Sequence, residues 1–160
     1  MTRIPRWPPP PAIVRLALQP DANTPPDEAA PNPWDLSALT GDLETAVWTW
    51  LDQVALWLNT TYGHTDDHVI PGCWPHHPAI AHELAAIAFT RIDVYTASTA
   101  AYIPRWHADL DDFYRRVSTS LGPNSSCLRG KHDELPDQYT ADAANLVIGR
   151  RSIPSRGGRL

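Results

Sequence analysis

The order of apolar and polar positions divides the chain into a proline-interrupted lead, three helical segments and a less regular end. From position 42 to 62, Leu43, Val47, Trp50, Val54, Leu58 and Tyr62 recur at steps of three and four. That spacing gathers apolar side chains on one face of an α-helix. Asp42 is placed to cap this helix and Gly63 to stop it. Trp48 and Trp57 fall off the stripe, so the helix is either covered on two sides or shows aromatic surface to a partner. Pro78 opens a second helix, because proline is tolerated at the first helical position, and Ile80, Leu84, Ile87, Ala88 and Ile92 carry it to about Tyr95. Its many alanines let a neighbouring helix approach closely, with tryptophan filling the facing space. Pro104 opens a third, striped by Trp106, Leu110, Phe113, Val117 and Leu121 and ended by Gly122-Pro123. Off that stripe, Asp111 to Arg115 and Asp112 to Arg116 have the spacing of ion pairs worth about 0.2–0.5 kcal/mol each.

Short connections make consecutive helices antiparallel. The pattern therefore predicts an all-α fold, a small antiparallel bundle of three to four helices. The fourth would run from Pro136 through Gly149, with Tyr139, Ala143, Leu146 and Val147 inward. Ahead of the helices, ten of the 17 prolines lie in the first 33 residues. Proline removes backbone donors and fixes φ, so this stretch predicts polyproline II or disorder. The expected organisation is a disordered Pro-rich arm over 1–33, a helical domain over 34–149 and a basic tail over 150–160. Within the arm, Trp7, Pro8–Pro11 and the apolar patch Ile13–Leu18 read either as a docking peptide or as a passive leader.

A length of 160 residues suits one domain. Thirteen basic against 18 acidic residues, net −5, supply no overall positive field for nucleic acid or an anionic membrane. No apolar run reaches the roughly 18 residues of a membrane span, and proline stands in Met1–Pro20 where a signal peptide needs its apolar stretch. A cytoplasmic location is expected. The cationic exception is the end, where Arg150, Arg151, Arg156 and Arg159 follow a segment that resembles the first helix and turn of a helix-turn-helix. DNA binding through those arginines is the alternative function. Against it, Pro154, Gly157 and Gly158 interrupt the recognition helix, and the acidic body repels phosphate.

The chain has two cysteines, each followed within five residues by histidine: Cys73-Trp-Pro-His76-His77 and Cys127-Leu-Arg-Gly-Lys-His132. In an antiparallel bundle the end of the first helix, the start of the second and the end of the third share one pole. Cys73, His76, His77, Cys127 and His132 belong there, with His64 and His68, while His107 sits at the other. Cys73, His77, Cys127 and His132 thus form a Cys₂His₂ set suited to tetrahedral zinc, with His76 as an alternate. Such a clip would tie two loops together and contribute folding free energy. The competing readings are a Cys73–Cys127 disulfide, two unlinked buried thiols with His77 capping a helix, and a cysteine nucleophile paired with His77. A zinc hydrolase using His68, Asp66, Asp67 or Glu83 as base is the third functional class. No phosphate loop, dinucleotide fingerprint, Gly-x-Ser-x-Gly or His-Glu-x-x-His is present.

The stretch from about Val47 to His132 resembles a family of small actinobacterial proteins of unknown function, often encoded on integrative or conjugative elements, plasmids and phages. The resemblance is carried by the helix ending in Tyr62-Gly63, by Cys73-Trp74 with His77-Pro78, by Trp106-His107-Ala108-Asp109, and by Gly122-Pro123 leading to Cys127 and His132. It implies a mobile-element accessory, treats the four ligands as a unit and draws His107 in as a further alternate; it implies no activity. The expected function is a non-enzymatic adaptor that binds a protein partner, of a conjugation or phage system, through Trp7, Trp48 and Trp57, with a structural zinc clip.

Overall fold

The apolar periodicity becomes helix almost where the spacing puts it. The computed structural model describes residues 4–19, 30–122 and 124–132. Its α-helices are α1 (Ala12–Ala17), α2 (Gly41–Tyr62), α3 (Pro78–Thr96) and α4 (Ile103–Leu121), and no strand occurs among the described residues. The fold is all-α. The expected helix over 136–149 and the arginines at 150, 151, 156 and 159 lie outside the described residues. Among those residues no helix is long and apolar enough to cross a membrane.

The three stripes meet in one core. Val47, Trp50, Leu51, Val54 and Leu58 of α2, Ile80, Leu84, Ala85 and Ala88 of α3, and Trp106, Leu110, Phe113 and Val117 of α4 are all buried. Helices α3 and α4 form an antiparallel hairpin: Trp106 Nε1 donates to Ile87 O at 3.1 Å near its closed end, and Arg116 reaches Glu83 at 2.7 Å further along. That second contact corrects the expected ion pairs. Arg116 pairs across to α3, Arg115 pairs with Asp112 three residues back at 2.8 Å, and Arg105 pairs with Asp109. These pairs are partly or largely exposed, so solvent keeps each worth about 1 kcal/mol or less. At the start of α2, Thr40 rather than Asp42 is the capping position, no side chain caps it, and Asp42 and Glu44 lie in the first turn where the helix dipole favours acids.

The antiparallel expectation fails for α2. Its C-terminal Tyr62 faces the first half of α4, with the Tyr62 and His107 rings 6.4 Å apart, whereas Trp48 near its start stacks on Trp74 at 5.4 Å. The connection from 63 to 77 is not a short turn. It carries the chain back along α2, so the rule that short loops make antiparallel neighbours does not apply here.

The arm is also corrected. Residues 4–19 are packed on the body instead of disordered: Val14 is fully buried, and Trp50 and Trp57 donate their indole N–H groups to Pro8 O and Pro5 O, each at 3.0 Å. Proline supplies no amide donors, but its carbonyls still accept, and two tryptophans use them. Trp7 packs edge-on against Trp57 at 4.9 Å, under the Arg91 guanidinium at 4.1 Å. Arg91 is ringed by Trp7, Tyr95, Trp57 and Trp106, and burial among them lowers its pKa. Trp7, Trp48 and Trp57 therefore face other parts of the chain, and α2 is the helix covered on two sides.

Candidate metal centre

The donors are set by local backbone before they are brought together. Pro71 O accepts from Trp74 N, which opens the 3₁₀ turn Trp74–His76. His77 then stands at the N-cap of α3 in an extended conformation, with φ −116° and ψ 90°. Its ring makes no capping hydrogen bond. It turns instead toward sulfur: His77 Nε2 lies 3.5 Å from Cys73 Sγ and 3.5 Å from Cys127 Sγ.

Beyond α4, Ser125 Oγ accepts from Cys127 N at 3.2 Å and starts the 3₁₀ turn Ser126–Arg129. Gly130 ends that turn at φ 80°, a left-handed conformation that glycine adopts without strain. Lys131 N bonds back to Ser126 O at 3.2 Å, and the reversal delivers His132 beside His77, ring centroids 4.9 Å apart. One donor atom from each of Cys73, His77, Cys127 and His132 lies within 4.8 Å of every other. Cys127 is buried, Cys73 and His77 are half-buried and His132 is exposed. The group is thus compatible with a metal ion.

The alternates fall outside this group. His76 has its ring 5.1 Å from His132 but contributes no donor to the four. His107 lies between Trp106 and Tyr62, at the far side that the polarity of the α3–α4 hairpin assigns to it. His68 stands against Tyr114 in mid-α4, with Nδ1 3.0 Å from Thr65 Oγ1. Asp67 accepts from Ser118 Oγ at 3.3 Å, and Glu83 holds Arg116.

Two residues that the periodic reading passes over hold the loop in place. Asn59 clamps Ile70 at both ends of its amide: Nδ2 donates to Ile70 O at 2.9 Å and Ile70 N donates to Oδ1 at 2.8 Å. Asp52 Oδ1 accepts from Trp74 Nε1 at 3.1 Å. The signal was a short polar side chain inside an apolar helix, where Asn and Asp are poor helix formers and so carry another use. Asn59→Ala is expected to leave both Ile70 groups unsatisfied and cost about 1–3 kcal/mol, read as a lower urea midpoint at unchanged slope. Asn59→Asp keeps one bond but turns an acceptor toward Ile70 O, so it is expected to rescue little.

In comparisons with known proteins, no protein-family model, no curated protein and no solved structure matches this chain.

Proposed function

We propose that the protein is a non-enzymatic accessory protein, a helical adaptor that binds a protein partner and is held at one end by structural zinc on Cys73, His77, Cys127 and His132. The observation that carries the metal is the position of His77 Nε2, 3.5 Å from each of two sulfurs that belong to segments 50 or more residues apart. At ordinary Zn–S and Zn–N bond lengths, a tetrahedral centre sets sulfur and nitrogen donors about 3.5–3.6 Å apart. A nucleophilic thiolate pairs with one imidazole; an imidazole equidistant from two thiols marks a common centre instead.

Four protein donors fill a tetrahedral shell, whereas a catalytic zinc keeps a position for water. None of the candidate bases Asp66, Asp67, His68 and Glu83 belongs to the four donors, and three of them are engaged elsewhere, Glu83 with Arg116, Asp67 with Ser118 and His68 with Thr65. What remains is a clip that joins the start of α3 to the segment after α4, where metal binding adds folding free energy. The resemblance to mobile-element proteins supplies the setting for a partner.

The test is metal analysis of the purified full chain together with recovery of a partner from a host that carries the element. About one zinc per chain and a reproducible protein partner are expected. Folded protein without metal would remove the clip, and a chain that recovers no partner would remove the adaptor role.

A further inference from the structure

The two tryptophans that hold the arm are spaced to read a polyproline helix. Trp50 and Trp57 are seven residues apart, two turns of α2, so they share a face and are separated by about 10.5 Å along the axis. Their acceptors, Pro8 O and Pro5 O, are three residues apart. Three residues make one turn of polyproline II and advance about 9.3 Å. The two repeats nearly coincide, so one extended segment offers carbonyls on successive turns to indole N–H groups on one helix face. Pro11, at φ −57° and ψ 159°, has polyproline II geometry, and between the two acceptors Trp7 enters the box made by Trp57, Trp106 and Arg91.

We infer that this face of α2, with Arg91 and Trp106, is a groove for a proline-rich peptide with an aromatic side chain between its two acceptor carbonyls, and that residues 4–11 occupy it in cis in place of such a segment on a partner protein. The inference rests on the adaptor reading and names the partner's chemistry. Recognition runs through main-chain carbonyls and one aromatic ring, so it does not depend on the peptide belonging to this chain. A preformed polyproline helix loses little entropy on docking. The occupant is an extended segment whose Ile4, Pro5, Arg6 and Pro9 are exposed, and a segment with so much of its length in solvent opens locally at low cost. It is also an imperfect occupant: Trp7 Nε1 is buried without a hydrogen-bond partner among the described residues. A ligand with phenylalanine at that position avoids the unsatisfied donor.

The cis arm competes at an effective concentration on the order of millimolar, so the test weakens it without removing it. A synthetic peptide of residues 2–11 is titrated calorimetrically into the full chain carrying Trp7→Ala. It is expected to bind about tenfold or more tighter than to the unaltered chain. Its Trp-to-Phe version is expected to bind more tightly still. Adding Trp57→Phe, which keeps a ring and deletes the N–H donor, is expected to weaken binding by roughly two- to tenfold. A folded Trp7→Ala chain that ignores the peptide, or equal binding after Trp57→Phe, overturns the groove. Should Trp7→Ala fail to fold, the unaltered chain is titrated to millimolar with the same peptide carrying 5-fluorotryptophan. A bound fluorine resonance supports the groove and its absence overturns it. A cellular partner retained equally by the unaltered and Trp57→Phe chains would overturn the groove and leave the adaptor role standing.

Discussion

Replacing either cysteine by serine is expected to remove about one zinc per chain and lower the thermal midpoint by roughly 8–16 °C. The magnitude follows from linkage. A metal present at about a thousand times its dissociation constant stabilises the folded chain by about 4 kcal/mol. For a chain of this size, 1 kcal/mol moves the midpoint by roughly 2–4 °C. Cys127→Ser should exceed Cys73→Ser, because Cys127 is 3% exposed and a hydroxyl there enters a dry site, whereas Cys73 is half-buried. The double variant should melt close to the worse single one, since both lose the same ion. EDTA on the unaltered chain should reproduce the drop, and zinc should reverse it there but not in the variants. His76→Ala provides the control, because His76 stands next to the cluster without contributing a donor. An unaltered chain whose midpoint is indifferent to EDTA would reject the clip.

The cluster is legible in the sequence because two local facts suffice: Cys73 precedes α3 and Cys127 follows α4, and an antiparallel α3–α4 hairpin brings those ends together. Cys73, His77, Cys127 and His132 do come together, although one premise that places them at a shared pole is wrong. The end of α2 does not lie there. Periodicity identifies a helix and its inward face, but the direction in which α2 crosses its neighbours is set by the return path from 63 to 77. That path is fixed by the Asn59 clamp on Ile70 and by Trp48 stacked on Trp74. Neither contact has a spacing that a sequence reader can test. The same premise puts His64 and His68 at the Cys73 pole, whereas His68 lies along α4 beside Tyr114.

The arm misled for a different reason. The prolines exclude a continuous helix over 4–33, but that is not exclusion from the fold, and the short α1 (Ala12–Ala17) still forms among them. The packed extended segment at 4–11 uses neither a helix nor a sheet ladder; it borrows donors from side chains across 42 and 52 residues of sequence. The available signal is Trp57 itself, which stands two turns after Trp50 at the edge of the stripe and not off it. A tryptophan beside the main stripe needs a cover, and Trp7 with its flanking prolines is the aromatic and acceptor-rich segment that supplies it.

Trp106 is the residue on which these layers converge, and its removal is expected to be the most damaging single change in the core. It is 1% exposed, donates to Ile87 O at 3.1 Å across the α3–α4 hairpin, meets Tyr95 edge-on at 5.9 Å and forms one wall around Trp7 at 6.4 Å. Trp106→Ala leaves a large cavity between two helices whose facing positions are already small, Ala85 and Ala88 among them, so little can collapse into it. The expected cost is about 3–5 kcal/mol in a denaturant melt. Trp106→Phe keeps most of the ring and gives up the indole donor, for about 0.5–1.5 kcal/mol beyond the smaller packing loss. The two variants should separate at the arm as well. Because the wall facing Trp7 persists only with phenylalanine, amide exchange at Arg15, whose N–H bonds to Pro11 O at 3.0 Å, should accelerate strongly in Trp106→Ala and little in Trp106→Phe. Equal acceleration in both would mean that the arm is held by its two carbonyl contacts alone and that the aromatic box contributes nothing to its docking.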